Sequence, residues 1–334
     1  MNSVSVIIPA FNAAATIGGT LDALAAQDHP SPFETIVVDD GSTDATADIV
    51  RRYPAVRCVH QTNAGPASAR NHGARLARGE FLCFTDSDCV PHPDWIAKLV
   101  AGFSAALPAE AERESNSAQA GPKIAVVMGS YGIVNPESIL ARGVHAEIIF
   151  RHCWLMPDFP RAFGGYNFCV RAQVFRAVGG FNEAYRAASG EDNDLSYKVI
   201  SAGHKIFFQR GALVDHHHTE DIVRYLKEQY RHGFWRAFTY ADHPRMVQGD
   251  GYTFWKDIIE IPWAFVCVLG TPLSCWPAVS LWLFEAYFAW RMACGIFTGF
   301  FFTNVMFLRA FARLFGLSSG ILAFCRAKCR KKVK

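Results

Sequence analysis

The chain has 334 residues, which is too long for one small domain, so a large α/β domain with an appendage is expected. Its 33 Lys and Arg residues nearly balance its 30 Asp and Glu residues, which removes the usual electrostatic argument for a nucleic-acid partner. The ten cysteines form no CxxC pair, which argues against a disulfide framework or a zinc site and favours a reducing cytosol.

Four short, β-branched segments alternate with helical segments over the first hundred residues. They are Val4–Ile8, Thr35–Val38, Val56–His60 and Glu80–Thr85. This alternation predicts a parallel, doubly wound sheet. The first segment follows the N-terminus without a basic region or a small-residue cleavage site, so no signal peptide is predicted and this domain is expected in the cytosol.

Each of these strands is followed by a cluster of polar or turn-forming residues. The clusters are Pro9–Asn12, Asp39–Asp44, Gln61–Gly65 and Asp86–Asp88. In open α/β sheets, ligands bind at the carboxyl edge of the strands. The four clusters together therefore predict a binding site at that edge.

The segment Asp86-Ser87-Asp88 is the candidate for metal chemistry. In an extended chain, carboxylates at positions i and i+2 point the same way, which suits a hard divalent cation with oxygen ligands. Such a cation would bridge a diphosphate and neutralise the charge on a leaving nucleoside diphosphate. Loops rich in Asp are common, so this motif alone is a weak indication.

The second cluster combines a turn with a potential ligand contact. A carboxylate of Asp39 or Asp40 would accept hydrogen bonds from a base N–H or a ribose hydroxyl. Ser42 or Thr43 would at the same time cap the helix that follows. A turn and a ligand contact are compatible here.

The third cluster continues into a helix over Asn63–Asn71, with Pro66 near its first turn. Backbone N–H groups and the Arg70 guanidinium would there face a phosphate. The alternative is that Arg70 lies on the helix surface and binds nothing.

Taken in order, these motifs resemble those of the family 2 glycosyltransferases with a GT-A fold. The residues that carry the resemblance are Val6–Asn12, Val37–Asp44, Asn63–Asn71 and Asp86–Asp88. The resemblance implies a Rossmann-like, mostly parallel sheet with helices on both faces. It also implies roles for individual residues: Pro9, Phe11 and Asp39 or Asp40 hold the nucleoside, Arg70 approaches the base or diphosphate, Ser87 contacts the nucleotide sugar, and Asp86 and Asp88 hold Mn or Mg with the diphosphate.

The resemblance continues beyond the first hundred residues. Its further segments are Gly165–Phe168, Val178–Glu183 and Gly190–Leu195. It implies that Asp192 is the general base that takes the proton of the acceptor hydroxyl, with inversion at the anomeric carbon, and Glu191 is the alternative base. From the residues alone, Ser189 with Asp192 three residues later equally indicates a helix start.

A histidine run, His216–His218, follows the predicted strand Lys205–Val214. Relatives often place at this point a histidine that contacts the metal or the diphosphate. Alternate residues of an extended chain lie on one side, so His216 is favoured and His218 is kept as the alternative. A solvated histidine run at the sheet edge is the other interpretation.

The composition changes from Ile258 onward. Ile261–Phe284 is uncharged and long enough to cross a bilayer, although three prolines interrupt it, and Met292–Leu308 is uncharged and borderline in length. Flanking tryptophans favour a membrane over a buried core, and the basic tail suits a cytosolic membrane face. A two-span hairpin is favoured, with a re-entrant or interfacial pair as the alternative.

The predicted organisation follows from these segments. A GT-A catalytic domain occupies 1–220, with a nucleotide-binding half at 1–105, a flexible insertion at 107–122 and an acceptor half at 123–220. An amphipathic interface segment at 221–257, hydrophobic membrane helices at 258–325 and a basic tail at 326–334 follow.

The predicted enzyme is an inverting hexosyltransferase of cell-envelope polysaccharide synthesis. It moves a single sugar from a nucleoside-diphosphate sugar, with UDP-sugar favoured, to a glycan or lipid-linked acceptor at the plasma membrane. Gln229–Arg236 does not fit the Gln-x-x-Arg-Trp motif of processive synthases, which favours single addition.

Two other enzyme classes are disfavoured by the loop that follows the first strand. Pro9–Thr16 has neither the Gly-rich basic loop of a sugar-nucleotide pyrophosphorylase nor the G-x-G-x-x-G of a dinucleotide oxidoreductase. A membrane-bound scaffold that binds a sugar nucleotide without catalysis is the remaining alternative.

Overall fold

The computed structural model describes residues 3–106, 124–186, 189–244, 255–270, 274–292 and 295–332. The predicted insertion at 107–122 lies outside these residues. The chain divides into two compact units, the first formed by Met1–Gly132 and Met156–His217, and the second by Ile133–Leu155 and His218–Lys334. The segment 133–155 thus groups with the C-terminal part of the chain.

Eight strands of the described residues form one sheet in the order β3-β2-β1-β4-β7-β6-β8-β5. The strands are β1 Val4–Ala10, β2 Glu34–Asp39, β3 Val56–His60, β4 Phe81–Thr85, β5 Cys89–Pro91, β6 Ile124–Ile133, β7 Asn167–Arg171 and β8 Lys205–His216.

Eleven α-helices lie in the described part of the chain. They are α1 Ile17–Ala25, α2 Thr46–Val50, α3 Pro66–Leu76, α4 Trp95–Gly102, α5 Ile139–Phe150, α6 Ala172–Ala177, α7 Glu191–Ser201, α8 Ile222–Asp242, α9 Trp255–Gly270, α10 Trp276–Arg291 and α11 Ile296–Lys332. A five-residue π-helix, Arg151–Leu155, follows α5.

The sheet is α/β as predicted, but only one half of it is parallel. Strands β3, β2, β1 and β4 pair in parallel, whereas β7 pairs antiparallel with both β4 and β6, and β5 pairs antiparallel with β8. The strand–helix alternation that predicted parallel pairing covers only the first hundred residues. Beyond β4 the sheet is therefore mixed.

The core of the parallel half is apolar and closely packed, and this packing positions the ends of its strands. Ile7 on β1 is fully buried, and a Cβ added to Gly73 on α3 would lie 2.5 Å from its side chain. Close packing of this kind needs a residue without a side chain at Gly73. On β4, Phe84 stacks on Phe168 of β7 with ring centroids 4.7 Å apart. These contacts hold the carboxyl ends of β1 and β4 in place.

The second unit is helical and contains the long uncharged runs. The run predicted as a single crossing, Ile261–Phe284, is divided between α9 and α10, which have 16 residues each. Pro277 lies in the first turn of α10, a position that proline favours because it cannot donate a backbone hydrogen bond. Within the residues that the structure describes, one helix, over Ile296–Lys328, is by length and composition apolar enough to cross a membrane.

Candidate active site

The predicted polar clusters meet at one edge of the first unit. The parallel register places Ala10 beside Asp39, and Asp39 beside His60, at the carboxyl ends of β1, β2 and β3. Asp86 follows β4, which pairs in parallel with β1. The predicted edge of the sheet therefore carries these residues together.

A candidate nucleoside pocket lies at the ends of β1 and β2. Pro9 pairs with Val38 in the sheet, and Phe11 follows β1 with 51% of its surface exposed. Asp39 is buried and accepts hydrogen bonds from the Ser42 N–H at 3.0 Å and from His60 Nδ1 at 2.9 Å. Burial pushes the pKa of Asp39 upward, but the hydrogen bonds from Ser42 and His60 outweigh it, so the pKa is lowered.

His60 was not singled out from the sequence. It is the last residue of β3, and its position beside the end of β2 is the pattern that identifies it. An ionised Asp39 and an exposed aromatic ring nearby are suited to a base with N–H donors.

Asp40 holds the loop that precedes α3. Its carboxylate accepts from the backbone N–H of Ala64 and of Gly65, both at 2.9 Å, and from Gln61 Nε2 at 2.7 Å. Gly65 has φ +93°, and a Cβ there would lie 2.5 Å from the Arg186 carbonyl oxygen. Both predicted nucleoside carboxylates are therefore buried and hydrogen-bonded, Asp39 to Ser42 and His60 and Asp40 to the loop before α3.

Arg70 lies inside the protein and pairs with two acidic residues. Its guanidinium donates from NH2 to Asp86 Oδ1 at 2.7 Å and from NH1 to Glu191 Oε1 at 3.0 Å. The residue is 3% exposed, and its guanidinium carbon lies 5.4 Å from the centre of the Phe181 ring. The alternative of a surface arginine is wrong, because α3 turns this face toward α7.

The Asp86–Asp88 segment is a turn and not the extended chain assumed from the sequence. The Asp86 carbonyl accepts from the Cys89 N–H at 3.2 Å, which closes the turn. The two carboxylates therefore have different partners. Asp86 pairs with Arg70, whereas Asp88 Oδ1 lies 3.5 Å from His216 Nε2, and Ser87 lies between them.

The residues near Asp88 have the chemistry of a metal site. Oxygen, sulfur and nitrogen atoms of Asp88, Cys89 and His216 all lie within 4.8 Å of one another, and antiparallel pairing of β5 with β8 brings them together. A carboxylate and an imidazole fit a divalent ion such as Mn. Burial raises the pKa of Cys89 well above its ordinary value, so at neutral pH this residue is a thiol.

The acidic start of α7 supplies the candidate base. Glu191 Oε2 accepts from the Ser189 N–H at 2.7 Å, and its other oxygen is bound by Arg70. Asp192 accepts from the Gly165 N–H at 3.2 Å and from the Asn193 N–H at 2.8 Å. Glu191 is thus paired with a cation, whereas the hydrogen bonds described for the Asp192 carboxylate come from backbone N–H groups.

The environment changes the acidity of both residues. Burial, followed by the nearby charge of Asp192, raises the pKa of Glu191 to about 7, and Arg70 opposes this rise. Burial also raises the pKa of Asp192. A carboxylate with a raised pKa is a stronger base, which suits proton abstraction from a hydroxyl.

Two further features concern the histidine run and its neighbours. His218 belongs to the second unit, where its backbone exchanges hydrogen bonds with the side chain of Asn135.

An aromatic pair lies beside His216. The ring centre of Tyr131 is 5.3 Å from that of His216, and Tyr131 stacks on Tyr166. This aromatic pair was missed, although Tyr166 lies within the acceptor-side segment that the resemblance covers.

Comparison with known proteins identifies a matching family. Residues 5–109 match the model of glycosyl transferase family 2. A validoxylamine A glucosyltransferase from Streptomyces hygroscopicus subsp. limoneus is 31% identical over 233 residues, which are 60% of this chain and 48% of that protein. The chain spans about half the length of the first relatives that it matches.

Solved structures share the fold. The mannosyltransferase PcManGT from Pyrobaculum calidifontis, in complex with GDP-Man and Mn2+, has a TM-score of 0.58 at 21% identity, covering 93% of this chain and 86% of its own. Residues 1–349 of TarS from S. aureus, in complex with UDP-GlcNAc, have a TM-score of 0.51 at 19% identity, covering 97% and 92%. At these identities the likeness establishes the GT-A fold.

Proposed function

We propose that this chain is a family 2 glycosyltransferase that transfers one sugar from a nucleoside-diphosphate sugar to an acceptor hydroxyl with inversion, and the match of residues 5–109 to that family's model supports the class. The observation that carries the proposal is the position of Arg70. It joins Asp86, on the predicted donor side, to Glu191, the neighbour of the predicted base Asp192. Transfer between two substrates needs both sides in one site.

The donor nucleoside is proposed to bind at Phe11 and Asp39. The exposed Phe11 ring offers an apolar face to the base, and the ionised Asp39 accepts N–H or hydroxyl donors. A UDP-sugar is favoured, and a GDP-sugar is the next candidate. PcManGT and TarS were solved with a sugar nucleotide of each kind.

A divalent cation, Mn or Mg, is proposed to be held by Asp88 and His216, with Asp86 beside them. When bound, it supplies positive charge to the leaving diphosphate. The residues of this chain contribute the anionic site, and Arg70 keeps the Asp86 carboxylate fixed. His216, rather than His218, is the proposed histidine.

Asp192 is proposed to remove the proton from the acceptor hydroxyl. Its carboxylate accepts two backbone hydrogen bonds, which orient it without neutralising it. Glu191 is less suited to this step because the Arg70 guanidinium pairs directly with one of its oxygens and stabilises the ionised form. The hydroxyl then attacks the anomeric carbon as the nucleoside diphosphate leaves on the opposite side.

The acceptor is proposed to be a glycan or lipid-linked sugar at a membrane. The apolar helix over Ile296–Lys328 supports a membrane partner, and the exposed basic residues Arg326 and Lys328 near its end support a cytosolic leaflet. The proposed location is therefore the cytosolic side of the plasma membrane.

The test is donor hydrolysis by detergent-purified protein with Mn, using UDP-, GDP- and dTDP-sugars. We expect release of nucleoside diphosphate from one donor, and a loss of release after chelation or in Asp88→Ala. Protein that binds the nucleotide but releases nothing, even with membrane extract as acceptor, would instead support a non-catalytic scaffold. Full transfer by Asp192→Asn would contradict the assignment of the base.

A further inference from the structure

The exposed face of α9 is apolar along its whole length. Exposed residues recur at helical spacing: Trp255, Ile258, Ile259, Pro262, Phe265, Val266 and Leu269. Residues at this spacing lie on one side of a helix. The other side buries Lys256, Asp257 and Glu260. Surface helices of water-soluble proteins have the opposite arrangement, with charges outward.

Helix α10 repeats this inverted pattern. Its exposed residues at helical spacing are Trp276, Val279, Leu283, Tyr287 and Trp290. The charged residue in its interior, Glu285, is fully buried. The two helices contact each other through Trp263 and Phe284, whose ring centres are 5.1 Å apart. We call the two exposed sets the apolar stripes.

The buried charges behind the stripes compensate one another. Four cations and four carboxylates of the second unit take part: Arg151, Lys256, Arg309, Arg313, Glu147, Asp257, Glu260 and Glu285. Lys256, for example, lies 2.8 Å from both Glu260 and Glu285. Charges that face inward and pair with one another, under an apolar exterior, are typical of helices surrounded by lipid.

Length and flanking residues favour the membrane interface over a crossing. Each helix has 16 residues, which span about 24 Å, less than the roughly 30 Å of a bilayer core. Trp255, Trp276 and Trp290 lie at the helix ends, as interfacial tryptophans do. Arg291, exposed at the end of α10, adds a positive charge that complements anionic headgroups.

We propose that the apolar stripes of α9 and α10 lie in one leaflet of an anionic lipid bilayer, in contact with the upper acyl chains. The occupant of this surface is lipid, and a second copy of the chain is the competing outcome. The inference deepens the membrane part of the proposed function and is independent of sugar transfer. It assigns the contact to α9 and α10, in addition to the long apolar helix over Ile296–Lys328.

The test is flotation of the full chain with vesicles of phosphatidylglycerol and phosphatidylethanolamine. The stripe variant combines Val266→Asp and Leu283→Asp, at residues that are 53% and 55% exposed. The control is Val134→Asp, directly after β6, where the residue is 41% exposed and lies outside both the stripes and the predicted interface segment. We expect the partition coefficient to fall about tenfold or more in the stripe variant, because two buried apolar contacts with lipid are lost. The control should stay close to the wild type.

Folding and self-association are measured separately. Far-UV circular dichroism in detergent shows whether the stripe variant is folded. If it is not, quenching of wild-type tryptophan fluorescence by lipids brominated on the upper acyl chain is the deciding measurement, and it should weaken in Trp276→Phe. Absent quenching, or equal flotation of stripe and control variants, overturns the proposal. The proposal is also overturned if the wild type is a dimer and the stripe variant is a monomer that still floats with the vesicles.

Discussion

Replacement of Arg70 perturbs the link between the two acidic motifs of the site. In Arg70→Met, Asp86 and Glu191 lose the guanidinium that lies 2.7 and 3.0 Å from their oxygens. Removing one partner of a buried ion pair costs about 3–5 kcal/mol, because the remaining charge stays desolvated. We expect the free energy of unfolding to fall by that amount. Arg70→Lys should lose less, since it keeps the charge but not the two-pronged geometry.

The loss depends on pH through Glu191. Its pKa is raised to about 7 by burial and by Asp192, with Arg70 opposing the rise, so it should rise further in Arg70→Met. A carboxyl whose pKa is higher in the folded than in the unfolded state makes stability fall as pH rises between those two values. The variant should therefore be less destabilised, relative to wild type, at about pH 6 than at about pH 8.

The assay is urea unfolding of the full chain, followed by far-UV circular dichroism at both pH values. Arg75→Met is the matched control, because Arg75 lies on the same helix but is exposed and 3.7 Å from Glu183. Its loss should stay within about 0.5 kcal/mol. Equal losses in the two variants, or no change with pH in Arg70→Met, would refute the role given to Arg70.

Three further predictions concern single residues. Asp192→Asn should lower the rate of transfer about 100- to 10,000-fold while nucleotide binding persists. In the wild type, the acid limb of the pH–rate profile should lie above the ordinary pKa of Asp, about 3.9, because burial raises the pKa of Asp192. Gly65→Ala should destabilise the fold more than Gly179→Ala, since both have positive φ but only Gly65 has a backbone neighbour within 4 Å; equal melting temperatures would contradict this. His216→Ala should raise the Mn concentration needed for half-maximal donor hydrolysis about tenfold or more, because a metal ligand is lost. An unchanged Mn concentration would contradict the assignment of His216 to the metal site.

The part of the fold that the sequence predicts is the part built from neighbouring segments. Apolar runs that end in Asp39 and Asp86 mark strand ends, and helices between strands require parallel crossovers, so the carboxyl edge follows from local pattern. The antiparallel half does not follow in this way. Strand β7 pairs with β4 across about eighty residues, and no local pattern encodes that pairing.

The site shows the same limit at the level of side chains. The sequence predicts that the Asp86 and Asp88 side chains point the same way. In the structure, the Cys89 N–H donates to the Asp86 carbonyl and closes a turn, and the two carboxylates have different partners. Arg70 finds Glu191 at a distance of 121 residues along the chain. Motifs thus identify the chemical groups, whereas tertiary packing decides which group neutralises which.

The two units differ in how their buried charged groups are compensated. In the described part of the second unit, four cations, of which Arg313 is half-buried and the others are buried, pair with four buried carboxylates, so these eight charges balance. In the first unit, Arg70 lies among Asp86, Glu191 and Asp192, and the charges of all three act on it. This excess of negative charge, with Asp88 beside it, is costly in a buried site unless a cation or protons compensate it. The raised pKa of Glu191 means that a proton compensates part of this negative charge. The proposed divalent ion would compensate the rest. The same excess of negative charge would favour a bound divalent cation, and an anionic diphosphate would be repelled from these carboxylates without one.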